Sequence, residues 1–228
     1  AVYSYSSDEI AIYQKGVRCM FRGVVHLLMY RLVYLYFVIP PHEVTGLPDV
    51  IRYTTSFWLL YMRISGQFHL AIGILCLFGF NLPETNRLYY LASSFTDLWR
   101  RVNIYWKDFM QKVFYYPMFT RLKRLGTLPG VLLATIAIFV VTWLLHSYQW
   151  FWLRGDFPLR AVDVVFWGAI GVGVVLNVWR EMTGEKRSRL SRPSFSFSRA
   201  LAHTLKVLAM FITMSILWTL WCGTSVPE

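Results

Sequence analysis

Charge is scarce in this sequence. Only 15% of its 228 residues are Asp, Glu, Lys or Arg, where a soluble domain carries about 25%. So few charges cannot keep the surface of a soluble domain dissolved, which excludes an ordinary globular class. Carboxylates are rarer still, 12 against 23 Lys and Arg, for a net charge of +11. The basic residues fall in short runs between apolar stretches, a pattern of membrane topology rather than of a nucleic-acid face. No nucleic-acid partner is expected. The three cysteines, Cys19, Cys76 and Cys222, are odd in number and widely spaced, which argues against a disulfide framework and a zinc spacing. GxGxxG, P-loop, CxxC and HExxH patterns are missing, as is a carboxylate pair spaced for acid–base work. No metal and no tightly bound cofactor are therefore expected. No secretory signal precedes the first apolar stretch, and the chain starts at Ala1, so further upstream helices are expected to be missing.

Apolar and aromatic residues are abundant, at 56% and 18% of the chain. A spanning helix needs about 20 mostly apolar residues. Five stretches qualify: 22–40, 55–80, 130–152, 161–179 and 200–222. The expected fold is all-α, a polytopic transmembrane helical bundle forming a single membrane domain over 1–228. The second stretch is long and carries polar groups, which points to a kink or break. The first contains Arg22, His26 and Arg31, whose charges must face protein or snorkel to an interface.

Lys and Arg set the expected orientation. Arg121, Lys123 and Arg124 precede the third stretch; Arg180, Lys186, Arg187, Arg189, Arg192 and Arg199 follow the fourth. Two crossings separate these clusters, so both lie on one side, assigned to the cytoplasm of a cell (inner) membrane. Lys15 and Arg18 fall on the same side; the poorly basic loop Pro40–Tyr53 and the tail Gly223–Glu228 fall outside. Arg187–Arg199 reads as a mobile Ser/Arg-rich loop. Residues 95–124 interleave Trp99, Trp106, Phe109 and Tyr115 with Arg100, Arg101, Lys107 and Lys112. That mixture is too polar to span and too aromatic for a free loop, so an interfacial or re-entrant helix in contact with lipid is expected.

Polar groups within spans need a reason. His146, late in the third stretch, admits two readings. One is an interfacial histidine bonded to a backbone carbonyl; the other is a neutral imidazole acting as general base toward a hydroxyl. On the residues alone the first weighs more. Asn103 could donate a hydrogen bond to a carbonyl gaining negative charge, with Arg100, Arg101 and Trp99 beside it to hold a donor group. The plain alternative is a helix whose arginines touch lipid phosphates. Ser65, Gly66 and His69 read as a packing segment. His26, His42 and His203 show no partner in sequence.

Four segments, taken in order, resemble the membrane-bound O-acyltransferase family, in particular its bacterial branch of alginate O-acetyltransferases and teichoic-acid D-alanyltransferases. They are Tyr61–Leu77, Phe78–Arg101 (FGFNLPETNRLYYLASSFTDLWRR), Asn103–Pro117 and Trp143–His146. The resemblance covers about residues 55–150, with weaker likeness toward both ends, and corresponds to the C-terminal half of that architecture. It implies transfer of an acyl group from an acyl thioester co-substrate to a hydroxyl of a glycan or lipid. His146 would remove the hydroxyl proton, Asn103 would hold or polarise the acyl carbonyl, and Arg100 and Arg101 would orient the helix or the donor. Arg63 and His69 stand where the branch carries Asp, and Asn103 where it usually carries His. These differences and the chain length motivate a second reading: a non-catalytic subunit serving as scaffold in a larger membrane complex, with an acyl carrier or other subunits as partners. A transporter lined by Arg22, Arg31 and His26 is a third.

Overall fold

The computed structural model describes residues 9–155, 157, 160–184 and 197–222. The tail Gly223–Glu228 and the basic residues Lys186, Arg187, Arg189 and Arg192 lie outside the described residues. Among the described residues the protein is an all-α polytopic bundle, 85% helical and without strands. Four helical stretches are long and apolar enough to cross a membrane: Leu47–Leu77, Thr127–Leu153, Ala161–Thr183 and Phe197–Trp221. Helix α1 (Glu9–Tyr36) is not one of these; Arg22, His26 and Arg31 lower its apolar character.

The described chain forms two compact units. The first runs through Arg87 and includes the chain again from Met214. It holds α1, α2 (Leu47–Leu59) and α3 (Met62–Leu77). The long apolar stretch breaks between α2 and α3. At Leu60–Tyr61 the regular ladder gives way to tighter bonds, Tyr61 N–H to the Trp58 carbonyl at 3.1 Å and Arg63 N–H to the Leu60 carbonyl at 3.0 Å. Arg52 of α2 caps the end of α1, donating from Nε to the Phe37 carbonyl at 2.9 Å and from its terminal nitrogen to that of Tyr36 at 2.5 Å. Carbonyls at a helix end lack intrahelical partners, and a cation there also meets the negative end of the dipole.

Helices α1 and α3 pack in opposite directions along a seam of small residues. A Cβ on Gly16 would lie 2.9 Å from the Gly73 carbonyl oxygen, and one on Gly23 would lie 2.9 Å from that of Gly66. The neighbour is backbone and cannot step aside, so only glycine permits this approach. Cys19 and Cys76, both buried free thiols, fill the same seam. Arg22 forms an ion pair with Glu84. At one end of this unit Trp58 packs against Tyr61 and Trp218, at 5.6 and 5.1 Å between ring centroids.

The second unit spans Leu88–Thr213. It contains short helices α4 (Phe95–Arg101), α5 (Ile104–Met110) and α6 (Tyr116–Leu122), then the long α7 (Thr127–Arg154) and α8 (Ala161–Thr183). One π-helical turn over Gln111–Tyr115 joins α5 to α6. Pro117 accounts for it: proline has no N–H to give the carbonyl four residues back, and its ring crowds that carbonyl. The last helix, α9 (Phe197–Cys222), contributes residues to both units. Two glycines of α8 receive rings. A Cβ at Gly173 would run into the Phe95 ring, and one at Gly171 would fall 3.2 Å from Phe139.

Candidate functional site

The site is built from α5, α7 and α8 of the second unit. Helix α4 ends at Val102, whose backbone is extended. Asn103 then turns the chain with φ 43° and ψ 64°. This left-handed conformation is costly for most side chains, and Asn is one of the few that tolerate it. The same residue caps α5: the Trp106 N–H donates to Asn103 Oδ1 at 3.2 Å. A capping side chain satisfies a helix N–H that otherwise has no partner. Asn103 therefore anchors the start of α5, the helix that carries Trp106.

Trp106 lies against His146 of α7, with ring centroids 5.1 Å apart and planes at 77°. Trp167 of α8 covers the imidazole from another side at 4.6 Å. His146 is half-buried between them. Its Nδ1 lies 2.8 Å from the Thr142 carbonyl oxygen, one turn back on α7. A carbonyl only accepts, so Nδ1 carries the proton. In the neutral ring the remaining nitrogen, Nε2, then holds a lone pair. That tautomer leaves Nε2 as the nitrogen able to act as a base, on a ring held by a backbone bond and flanked by two indole rings.

On α5 and on the turn of α7 that precedes His146, several polar atoms are left over. Trp106 Nε1, Thr142 Oγ1 and Trp143 Nε1 are shut off from solvent and meet no hydrogen-bond partner among the described residues. Most buried polar groups are paired, and an unpaired one costs about 1–3 kcal/mol. Three unpaired groups on and beside one turn of α7 give this region surplus hydrogen-bonding capacity.

The other sequence candidates sit on α4. Trp99 packs on Phe139 of α7 at 4.8 Å. Arg101 Nε donates to Asp97 Oδ1 at 2.7 Å along its own helix. Asp97 also accepts from the Ser93 N–H at 3.0 Å, while Ser94 Oγ accepts from the Asp97 N–H at 3.1 Å, a reciprocal cap that starts α4. Burial pushes the Asp97 carboxyl up, but the Arg101 and Ser93 hydrogen bonds outweigh it and hold it below its ordinary value. Arg100 faces Glu181 of α8 at 3.6 Å across an exposed ion pair. The structure thus gives Trp99, Arg100 and Arg101 protein partners, while Asn103 and His146 are joined through Trp106.

The first unit holds a second histidine cluster. His26 Nδ1 lies 3.0 Å from Ser65 Oγ, and His69 Nδ1 lies 2.7 Å from the Ser65 carbonyl oxygen. The two imidazoles meet at 5.2 Å. His26, which showed no partner in sequence, is therefore engaged. The available signal was the equal seven-residue spacing of Gly16–Gly23 and Gly66–Gly73, which brings the two helices into register. Trp106 and Trp167 were also missed as site residues. Trp106 stands three positions after Asn103, where a capping side chain bonds the backbone. A shallow groove lined by Ile10, Tyr13, Gln14, Val17 and Arg18 runs along α1 and carries none of these groups.

Fold and geometry together define a helical membrane protein with an oriented imidazole enclosed by indole rings. No protein-family model matches the chain. It is similar to a peptidoglycan O-acetyltransferase of Helicobacter pylori (strain ATCC 700392 / 26695), with 26% identity over 183 residues, 78% of this chain and 29% of that protein. The chain thus spans less than a third of the length of this curated relative.

Proposed function

We propose that this chain carries the acyl-transfer site of a membrane-bound O-acyltransferase that moves an acetyl group from a thioester donor to a glycan hydroxyl. The reading rests on one observation above all: His146 Nδ1 is engaged by the Thr142 carbonyl, which leaves Nε2 its lone pair, and the ring lies against Trp106, whose backbone is held by the Asn103 carboxamide. A base with its second nitrogen engaged by a carbonyl is poised to take a hydroxyl proton. The freed oxygen then attacks the acyl carbonyl and the thiolate leaves. The similarity to a protein named for O-acetylation of peptidoglycan supports both the acetyl group and the glycan acceptor. The collinear likeness of residues 55–150 to the family supports the architecture.

The direct test supplies membranes carrying the protein with a labelled acetyl thioester and peptidoglycan. Ester-linked label, released from the glycan by mild base, is the expected product. His146→Ala is expected to reduce it by about 10²–10⁴-fold. Label that accumulates equally without the protein contradicts the reading, and so does full activity of the variant. Stable copurification with a larger complex, together with no transfer, would favour the scaffold instead.

A further inference from the structure

We infer that Trp106 is a further catalytic residue, whose indole N–H donates a hydrogen bond to the acyl carbonyl oxygen as it becomes an oxyanion. This rests on the acyl-transfer reading of His146. Three observations carry it. The ring touches the His146 imidazole, at 5.1 Å between centroids. Its Nε1 is shielded from solvent and meets no acceptor among the described residues. Its backbone N–H is tied to Asn103 Oδ1, so the helix turn that carries the ring is anchored by a cap.

The chemistry selects the partner. An indole nitrogen donates and neither accepts nor gives up its proton under ordinary conditions. It cannot share the base's task and can only serve an oxygen that needs a donor. In transfer from a thioester, the acceptor O–H bond breaks and its proton passes to His146 Nε2. The hydroxyl oxygen bonds to the acyl carbon, and the carbonyl electron pair moves onto oxygen. The Trp106 N–H meets that negative charge. The intermediate then re-forms the carbonyl and breaks the C–S bond. The thiolate takes the proton from His146, leaving ester and free thiol. A fixed donor at an oxyanion in a water-poor site is worth more than the same bond in water, because it needs no reorganisation when charge appears. Thr142 Oγ1 and Trp143 Nε1 also meet no partner among the described residues, but both lie on the helix of His146 itself. Trp106 comes from another helix and is in ring contact with the base.

The test compares three forms of the protein in membranes, with an acetyl thioester as donor and peptidoglycan as acceptor. Trp106→Phe keeps an aromatic ring against His146 and removes the N–H. Replacement of Trp106 by benzothienylalanine keeps the full bicyclic shape, with sulfur in place of N–H, and covers the case in which the smaller ring fails to fold. His146→Ala serves as the reference. The expected result is a fall in kcat of about 10²–10³-fold for both Trp106 forms, with KM for the thioester within about twofold of the parent. A kcat per folded molecule within about threefold of the parent for the benzothienyl form, with His146→Ala inactive, overturns the role of Trp106 and leaves the acyl-transfer reading standing. Full activity of His146→Ala removes both.

Discussion

Two histidines on different helices, one buried and one half-buried, make the same local bond and differ in everything around it. His69 on α3 and His146 on α7 each place Nδ1 at the carbonyl oxygen four residues back, at 2.7 and 2.8 Å. The first sits in the α1–α3 seam, where Ser65 and His26 meet it and glycines bring the backbones together. The second sits among indole rings, and the N–H of one of them, Trp106, meets no partner among the described residues. A membrane histidine with an i−4 carbonyl bond is therefore not evidence of chemistry by itself. What separates a packing histidine from a reactive one is whether the polar groups near it are satisfied by the fold.

The comparison can be broken or sharpened at several points. Outside the His146–Trp106 pair, the largest effect is expected at Asn103. Asn103→Gly keeps the left-handed backbone and removes only the carboxamide, and a Gly cap is only a few tenths of a kcal/mol worse than Asn. Acyl transfer should fall about 10²–10³-fold while helicity by circular dichroism stays unchanged. Retained activity would assign Asn103 to capping alone. In the seam, Gly73→Ala drives a methyl to about 2.8 Å from the Gly16 carbonyl oxygen. It should lower stability in detergent by about 1–3 kcal/mol, read from the denaturation midpoint, without changing the rate per folded molecule. Gly173→Ala presses on the Phe95 ring of α4 rather than on backbone, so its cost should be smaller, about 1 kcal/mol.

The smallest effect concerns the start of α4. Asp97 is held below its ordinary carboxyl value of 3.8. A depressed folded value means the carboxylate favours folding, fully so above the ordinary value and progressively less as pH falls through it to the depressed one. Asp97→Asn should therefore lower stability near neutrality and flatten the acid limb of the stability curve. An unchanged acid limb would show that the cap and the Arg101 contact contribute nothing.

Four of the five expected spans were legible because apolar runs of membrane length leave few alternatives, as at Leu47–Leu77 and Thr127–Leu153; the expected span 22–40 is not among them, its helix α1 carrying Arg22, His26 and Arg31. The break at Leu60–Tyr61 was foreshadowed by polar groups in a long stretch. The contents of the sites were not legible, because they depend on pairing across long separations. His26 and Ser65 lie 39 positions apart, and nothing local to either announces the other. Trp106 and His146 meet only after Asn103 has turned the chain and the π-helical turn before Pro117 has set the path of α6. The tie of Arg101 to Asp97 was not legible either, because it depends on where α4 begins, which Ser94 decides.

The comparison of His146→Gln with His69→Gln tests the central claim most directly. Acetyl transfer from a labelled thioester to peptidoglycan is measured per folded molecule in the same membranes. The account predicts a loss of at least about 100-fold for His146→Gln and a rate near the parent's for His69→Gln. Equal rates for the two variants, or loss only in His69→Gln, would contradict it.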